Sequence, residues 1–275
     1  MRWTMVVVAV AVGLGWAVSG LAQQDRDRPP SSPFEYAVFG LGDVTLQDGV
    51  RAVDGDVGSN NGTTIVGQRV RVAGAVVGRT IKLRKNALPD SLFCLLLKGG
   101  SGTLFCQAVT LPIVSTAQLP PVQVVPGTMN VTIPSKGSHS PAPAGAYGKL
   151  KIGSRGVLVL AGGIYVFRSI QVNSRGQLLC AAPCQIGVAD TMRIQSRGIV
   201  GGTSGTRAES IRVNVAKTSL TAVFSAEQNS NVSAVVYAPG GRIVLRGGNQ
   251  GNYVGAFVGG SVKVGKGALV QARSP

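Results

Sequence analysis

Three arginines recur at equivalent places in a repeated motif. Arg155, Arg175 and Arg197 each precede the final Gly of the pattern apolar-polar-apolar-x-Ser-Arg-Gly and lie 20 and then 22 residues apart. If these repeats stack in register, their side chains lie about 5 Å apart along one face. Like charges at that distance repel by about 1 kcal/mol per pair even in water, and a bound anion would relieve the repulsion. The three arginines are therefore a candidate polyanion-binding site. The alternative is that each one extends into solvent, where the repulsion is screened.

The acidic residues offer one other candidate for chemistry. Asp43, Asp48, Asp54 and Asp56 lie close together, beside Asn60 and Asn61. Their oxygens could bind calcium, or the side chains could bond to the backbone of turns. The single histidine, His139, has no rigid partner in its Pro-rich surroundings, so a nucleophilic triad is not predicted. We expect no catalytic site, no metal site and no cofactor.

The four cysteines lie in the sequence as two closely spaced couples. Cys94 and Cys106 end the similar stretches 92–94 and 104–106, which predicts a hairpin joined at its base. Cys180 and Cys184 flank a short loop containing Pro183. Two disulfides, Cys94 with Cys106 and Cys180 with Cys184, are the first interpretation of three possible connectivities.

The first residues predict export, which would place these cysteines in an oxidising compartment. Arg2, an apolar run and small residues before Gln23 are typical of a signal peptide at 1–22, with no transmembrane anchor left after cleavage. Residues 23–33 follow as a charged, Pro-containing leader that we expect to be disordered. The formal net charge of +16 favours contact with polyanions.

The elements that position these residues are short strands. A period near 20 residues, with alternating apolar positions ending in Gly, is typical of one coil of a β-helix. We predict an all-β fold, a single right-handed β-solenoid (parallel β-helix) over 34–275. Half of the 14 prolines fall within 111–147, which predicts an excursion that interrupts the solenoid.

Several further segments resemble an uncharacterised β-helix domain of secreted bacterial proteins, found in type IV pilus-associated and other cell-surface proteins. The similarity rests on 39–44, 53–60, 160–167, 234–239 and 255–259. The resemblance implies the solenoid fold and a surface location, and it implies no catalytic residue.

These observations predict a secreted, non-catalytic structural or adhesive cell-surface protein, in the periplasm, on the surface or outside the cell, with a pilus or matrix protein as partner. The first alternative is a binding module for anionic polysaccharide or extracellular DNA. A polysaccharide-active enzyme is the second alternative, which the scarcity of clustered carboxylates disfavours.

Overall fold

The computed structural model describes residues 28–100, 104–115 and 119–272. The predicted signal peptide at 1–22 lies outside the described residues. The first part of the chain forms strands whose bounds are β1 Val38–Gly40, β2 Val44–Leu46, β3 Ala52–Asp54, β4 Val57–Ser59, β5 Thr63–Val66, β6 Arg71–Leu83 and β7 Leu88–Gly99.

The second part is longer. Its strands are β8 Val131–Ile133, β9 Ser138–Ala142, β10 Gly145–Ala146, β11 Lys149–Ile152, β12 Val157–Leu160, β13 Gly163–Phe167, β14 Ser169–Val172, β15 Gln177–Cys180, β16 Cys184–Val188, β17 Met192–Ile194, β18 Ile199–Gly202, β19 Ile211–Val215, β20 Ser219–Ala226, β21 Asn231–Ser233, β22 Val235–Leu245, β23 Asn252–Val254, β24 Phe257–Val264 and β25 Leu269–Gln271. Short 3-10 helices lie at Pro33–Glu35 and Ala208–Ser210. Within the described residues, no helix is long and apolar enough to cross a lipid bilayer.

All strand pairs are parallel, and the coils build one solenoid of about 11 turns. This confirms the predicted β-solenoid. Alternation along the strands explains the coil: in β11, Leu150 and Ile152 are buried while Lys149 and Lys151 are exposed. Each coil contributes such inward Val, Ile and Leu side chains, and stacking them produces one continuous aliphatic core.

The coils do not stack in chain order. The first coil pairs through β1 and β2 with β4 and β5 on one side, and with β24 on the other. Strand β3 likewise pairs with both β6 and β25. The chain therefore begins in the middle of the solenoid, builds to one end at β7, crosses to the opposite end at β8, and returns until its last coil meets its first.

The crossing segment is the strap, residues 108–130, of which 116–118 lie outside the described residues. It spans roughly ten strand spacings of about 4.8 Å, a distance that some 20 extended residues can cover. The predicted excursion at 111–147 extends too far toward the C-terminus, because β8, β9 and β10 lie within it and form the first coil after the strap.

The strap lies on the outer face of one sheet of the solenoid. Its apolar side chains Val109, Ile113, Val114, Leu119 and Val122 pack onto this outer face. The outward positions below it form one row in register: Phe93, Val77, Gly58, Phe39, Val258, Tyr237, Asn214, Gly187, Val166 and Ala146. This sheet consequently buries apolar side chains on both faces.

Two polar contacts attach the strap. The Asn60 side chain donates to the Val114 carbonyl and accepts from the Val114 amide, both at 2.8 Å. The Tyr237 hydroxyl donates to the Pro120 carbonyl at 3.0 Å. Asn60 is 2% exposed, so both bonds are shielded from water. Its side-chain amide therefore satisfies the Val114 backbone in the way that a neighbouring strand would.

Both predicted disulfides are present, but the predicted hairpin is wrong. Disulfides join Cys94 to Cys106 and Cys180 to Cys184. Residue Gln107 returns beside Phe93 in the parallel direction, as one more partial coil. The similar stretches before Cys94 and Cys106 are thus neighbouring turns of the solenoid.

Part of the predicted disordered leader falls within the described residues and contacts the solenoid. Pro33 is buried, and the Tyr36 hydroxyl donates to the Pro30 carbonyl at 3.1 Å. The ring of Phe34 lies 5.3 Å from that of Tyr237. Residues 30–34 therefore lie against the same face as the strap.

Candidate functional site

The Ser-Arg-Gly motifs form the turns between two sheets of the solenoid. In each turn the glycine amide donates to the carbonyl three residues earlier, at 2.8–2.9 Å for Gly156, Gly176 and Gly198. A Cβ at Gly156 would lie 2.9 Å from the Pro134 carbonyl oxygen of the preceding coil. Only glycine fits there, which explains the last residue of the motif.

The arginine of each motif adopts a left-handed backbone. Arg155, Arg175 and Arg197 have φ of 59°, 61° and 60°. Hydrogen bonds from their backbone amides connect successive coils. The Arg155 amide donates to the Ser174 carbonyl at 3.2 Å, and the Arg175 amide donates to the Ser196 carbonyl at 3.1 Å. The structure thus brings the three sequence-predicted residues into one row, as the motif predicts.

A fourth basic residue belongs to this row. Lys136 has φ of 61°, and its amide donates to the Ser154 carbonyl at 2.9 Å. We call Lys136, Arg155, Arg175 and Arg197 the basic row. Sequence reasoning missed Lys136 because it lies in the Pro-rich stretch, although the segment 133–137 repeats the motif with Lys in place of Arg and lies 19 residues before Arg155.

The basic row forms one wall of an open groove. A second row of serines from the same turns runs beside it. The groove has a volume of about 590 Å³ and is lined by Ser135, Lys136, Ser154, Arg155, Ser174, Arg175, Ser196, Arg197 and Asn229. Four coils at about 4.8 Å give the row a length of about 14 Å.

Among the described residues, no carboxylate forms an ion pair with the basic row. All four basic side chains are exposed. Since each hydroxyl both donates and accepts, the serine row complements the charges with hydrogen-bonding capacity. The groove can therefore bind anionic and hydroxyl groups that repeat along the solenoid axis.

Left-handed backbone is costly for residues with a Cβ, about 1–2 kcal/mol each, and Gly or Asn is the ordinary choice. Elsewhere the same row of turns has Asn at Asn86 and Asn229, Gly at Gly49 and Gly267, and one isolated cation at Arg69. Four consecutive coils nevertheless have Lys or Arg there. The turn itself does not need a cation, so the charge points to a role outside folding.

Basic character continues over the next coils. Arg242, Lys263 and Lys266 line a second groove of about 440 Å³. Arg246 lies there too, but it pairs with Glu227 at 3.2 Å. Asp48 also lies in this part of the solenoid, where its carboxylate pairs with Arg84 at 2.8 Å.

Three of the four aspartates that could bind calcium accept hydrogen bonds from the backbone of the next coil. Asp43 accepts from the Thr63 amide at 2.8 Å, Asp48 from the Gln68 amide at 2.7 Å, and Asp56 from the Ala75 amide at 2.6 Å. The Gln68 amide, with help from Arg84, lowers the pKa of Asp48. Within the described part of the chain, no three metal-ligating side chains, Asp54 included, come together. The structure thus favours turn chemistry for these residues.

A cleft of about 220 Å³ lies beneath the strap. Pro120, Val122 and Val124 form one side, with Arg212 and Tyr237 opposite. The guanidinium of Arg212 lies 5.7 Å from the centre of the Phe34 ring. This cleft is narrow and separate from the basic row.

Comparison with known proteins shows similarity to one family over part of the chain and indicates no activity. Residues 150–273 match the model of a family described as a domain of unknown function (DUF7305). No curated protein and no solved structure matches the chain. The resemblance to pilus-associated surface proteins stays a prediction. The matched region of this chain includes Arg155, Arg175 and Arg197 and extends to the last described coil.

Proposed function

We propose that the protein is a secreted adhesive protein of the cell surface whose basic row binds a linear anionic polysaccharide lying along the solenoid axis. The observation that carries the proposal is the row itself, four cations at a regular spacing in left-handed positions that do not require them. The serine row beside it supplies hydrogen bonds for sugar hydroxyls. The two disulfides and the signal peptide predicted from the composition of residues 1–22 support export.

Polysaccharide is favoured over DNA by the composition of the groove. Proteins that bind single strands stack the bases on aromatic side chains. The residues lining the groove are Ser, Lys, Arg and Asn. Measured along the axis of duplex DNA, each strand has a phosphate about every 3.4 Å, which does not match a coil spacing of about 4.8 Å.

The test replaces all four basic residues by Asn, the residue that the same turns use elsewhere. Lys136→Asn, Arg155→Asn, Arg175→Asn and Arg197→Asn together should weaken binding to alginate or dextran sulfate by at least about tenfold, since four charges leave the contact. The slope of log affinity against log salt should flatten by about 3, because fewer counterions are released.

The matched control removes the same charge elsewhere. Arg51, Arg168, Arg193 and Lys217 are exposed and lie outside the groove. Their joint replacement by Asn should leave affinity within about threefold of the unmodified protein, because they do not contact the polymer. Equal loss in both variants would show that only net charge matters. Tighter binding to duplex DNA than to either polysaccharide would contradict the proposed ligand.

A further inference from the structure

The terminal coil at β7 concentrates exposed apolar side chains. Nine large apolar side chains are exposed among the described residues, and five of them lie here. Their exposed fractions are 63% for Leu88, 63% for Leu95, 47% for Leu96, 42% for Leu104 and 77% for Phe105. We call these five residues the apolar tip. Such a concentration on one end of a molecule marks an interaction site.

The fold explains why these side chains stay uncovered. Strand β7 pairs along its length with β6 only, and on its other edge the described residues add a single bridge from Phe93 to Gln107. The disulfide from Cys94 to Cys106 holds Leu104 and Phe105 against this end. The tip is therefore a fixed feature of the end of the solenoid.

Exposed basic side chains surround the tip. Arg71 lies beside Leu88 in register, Lys82 lies beside Lys98, and Arg79 precedes Thr80, the partner of Leu96. Between Arg69 and Lys98 the sequence has seven basic residues and one acidic residue, Asp90. We call Arg71, Arg79, Lys82, Lys85 and Lys98 the basic collar.

We propose that the apolar tip and basic collar dock this end of the solenoid on an anionic lipid surface. The tip would enter the boundary between headgroups and acyl chains, about 5–10 Å deep, and the collar would contact the headgroups. Charge complementarity favours lipid over a second copy stacked end to end. The opposite end of the solenoid has Lys136 and no acidic residue in β8 to β10. That end would therefore repel the basic collar of a second copy.

This docking is independent of polysaccharide binding, because the basic row begins in the coil farthest from the tip. The test is flotation of the secreted chain, without the predicted signal peptide at 1–22 whose apolar run would itself bind lipid, with vesicles of phosphatidylcholine containing about 30% phosphatidylglycerol. Leu95→Ser, Leu96→Ser and Phe105→Ser together remove the apolar contact without changing charge. This variant should lower vesicle partitioning at least about tenfold.

The matched control replaces three exposed apolar residues elsewhere: Val125→Ser, Ile164→Ser and Leu220→Ser, at 82%, 61% and 90% exposure. It should float like the unmodified chain. A second measurement uses Phe105→Trp, whose emission should shift to the blue with anionic vesicles, while that of Leu220→Trp should not shift.

Three outcomes would overturn the proposal. The first is flotation of the tip variant equal to that of the control. The second is that Asn replacement of the basic row reduces flotation as much as the tip variant does, which would reveal a bulk charge effect. Concentration-dependent oligomers that the tip variant abolishes, without vesicle binding, would assign the tip to a second copy.

Discussion

Asn60 is the residue whose replacement tests the attachment of the strap. Asn60→Leu removes both hydrogen bonds to Val114 and leaves the Val114 amide and carbonyl without partners. Val114 is 7% exposed, so neither group reaches water while the strap stays in place. An unsatisfied buried group costs about 1–3 kcal/mol, so the two together cost about 2–6 kcal/mol. Lifting the strap would hydrate them but would expose Phe39 and Val77 beneath it.

The free energy of unfolding in urea should therefore fall by at least about 2 kcal/mol. Hydrogen exchange at the Val114 amide should accelerate in the same variant. The neighbour Asn61 is exposed, so Asn61→Leu is the matched control, with a change within about 0.5 kcal/mol. Equal stability of the two leucine variants would refute the assignment of Asn60 as the attachment of the strap.

Three other predictions concern packing, crosslinks and pH. A Cβ at Gly58 would lie 2.5 Å from the Tyr36 ring, so Gly58→Ala should destabilise by about 1–3 kcal/mol in the same urea assay. Cys94→Ser with Cys106→Ser should cost about 3 kcal/mol and Cys180→Ser with Cys184→Ser about 2 kcal/mol, because the first pair closes the longer loop; the reverse order would contradict this reasoning. Burial raises the pKa of Tyr253 to about 12 and also raises that of Tyr36. Stability from these tyrosines should be intact below pH 10.0, the ordinary tyrosine value, and should decline as pH rises through about 12, whereas a flat profile to pH 12 would show that they titrate alike in both states.

The repeat predicted the solenoid and its turns because both are local. Apolar alternation and Ser-Arg-Gly appear within each coil, so Arg155, Arg175 and Arg197 could be placed in one row without knowing the rest. The disulfide pairing was equally local. The same motif also occurs around Lys136. It was missed because the surrounding prolines led to the prediction of an excursion where the first coil after the strap lies.

The order of the coils could not be predicted from the repeat. Any coil presents nearly the same edge, so periodicity does not show that β1 pairs with β24. The parallel return of Gln107 was missed for a related reason, since similar stretches around a Gly-rich loop also fit a hairpin. Both features depend on contacts between residues that the sequence pattern does not connect.

The most direct measurement is the affinity of anionic oligosaccharides of increasing length for the unmodified chain and for the variant with Asn at the four positions of the basic row. Binding along the axis predicts that affinity rises with each added charged sugar until the ligand spans the row, about 14 Å, and rises less beyond it. The Asn variant should show a weak and nearly constant affinity. Affinity that does not depend on ligand length, or equal curves for the two proteins, would contradict binding at the basic row.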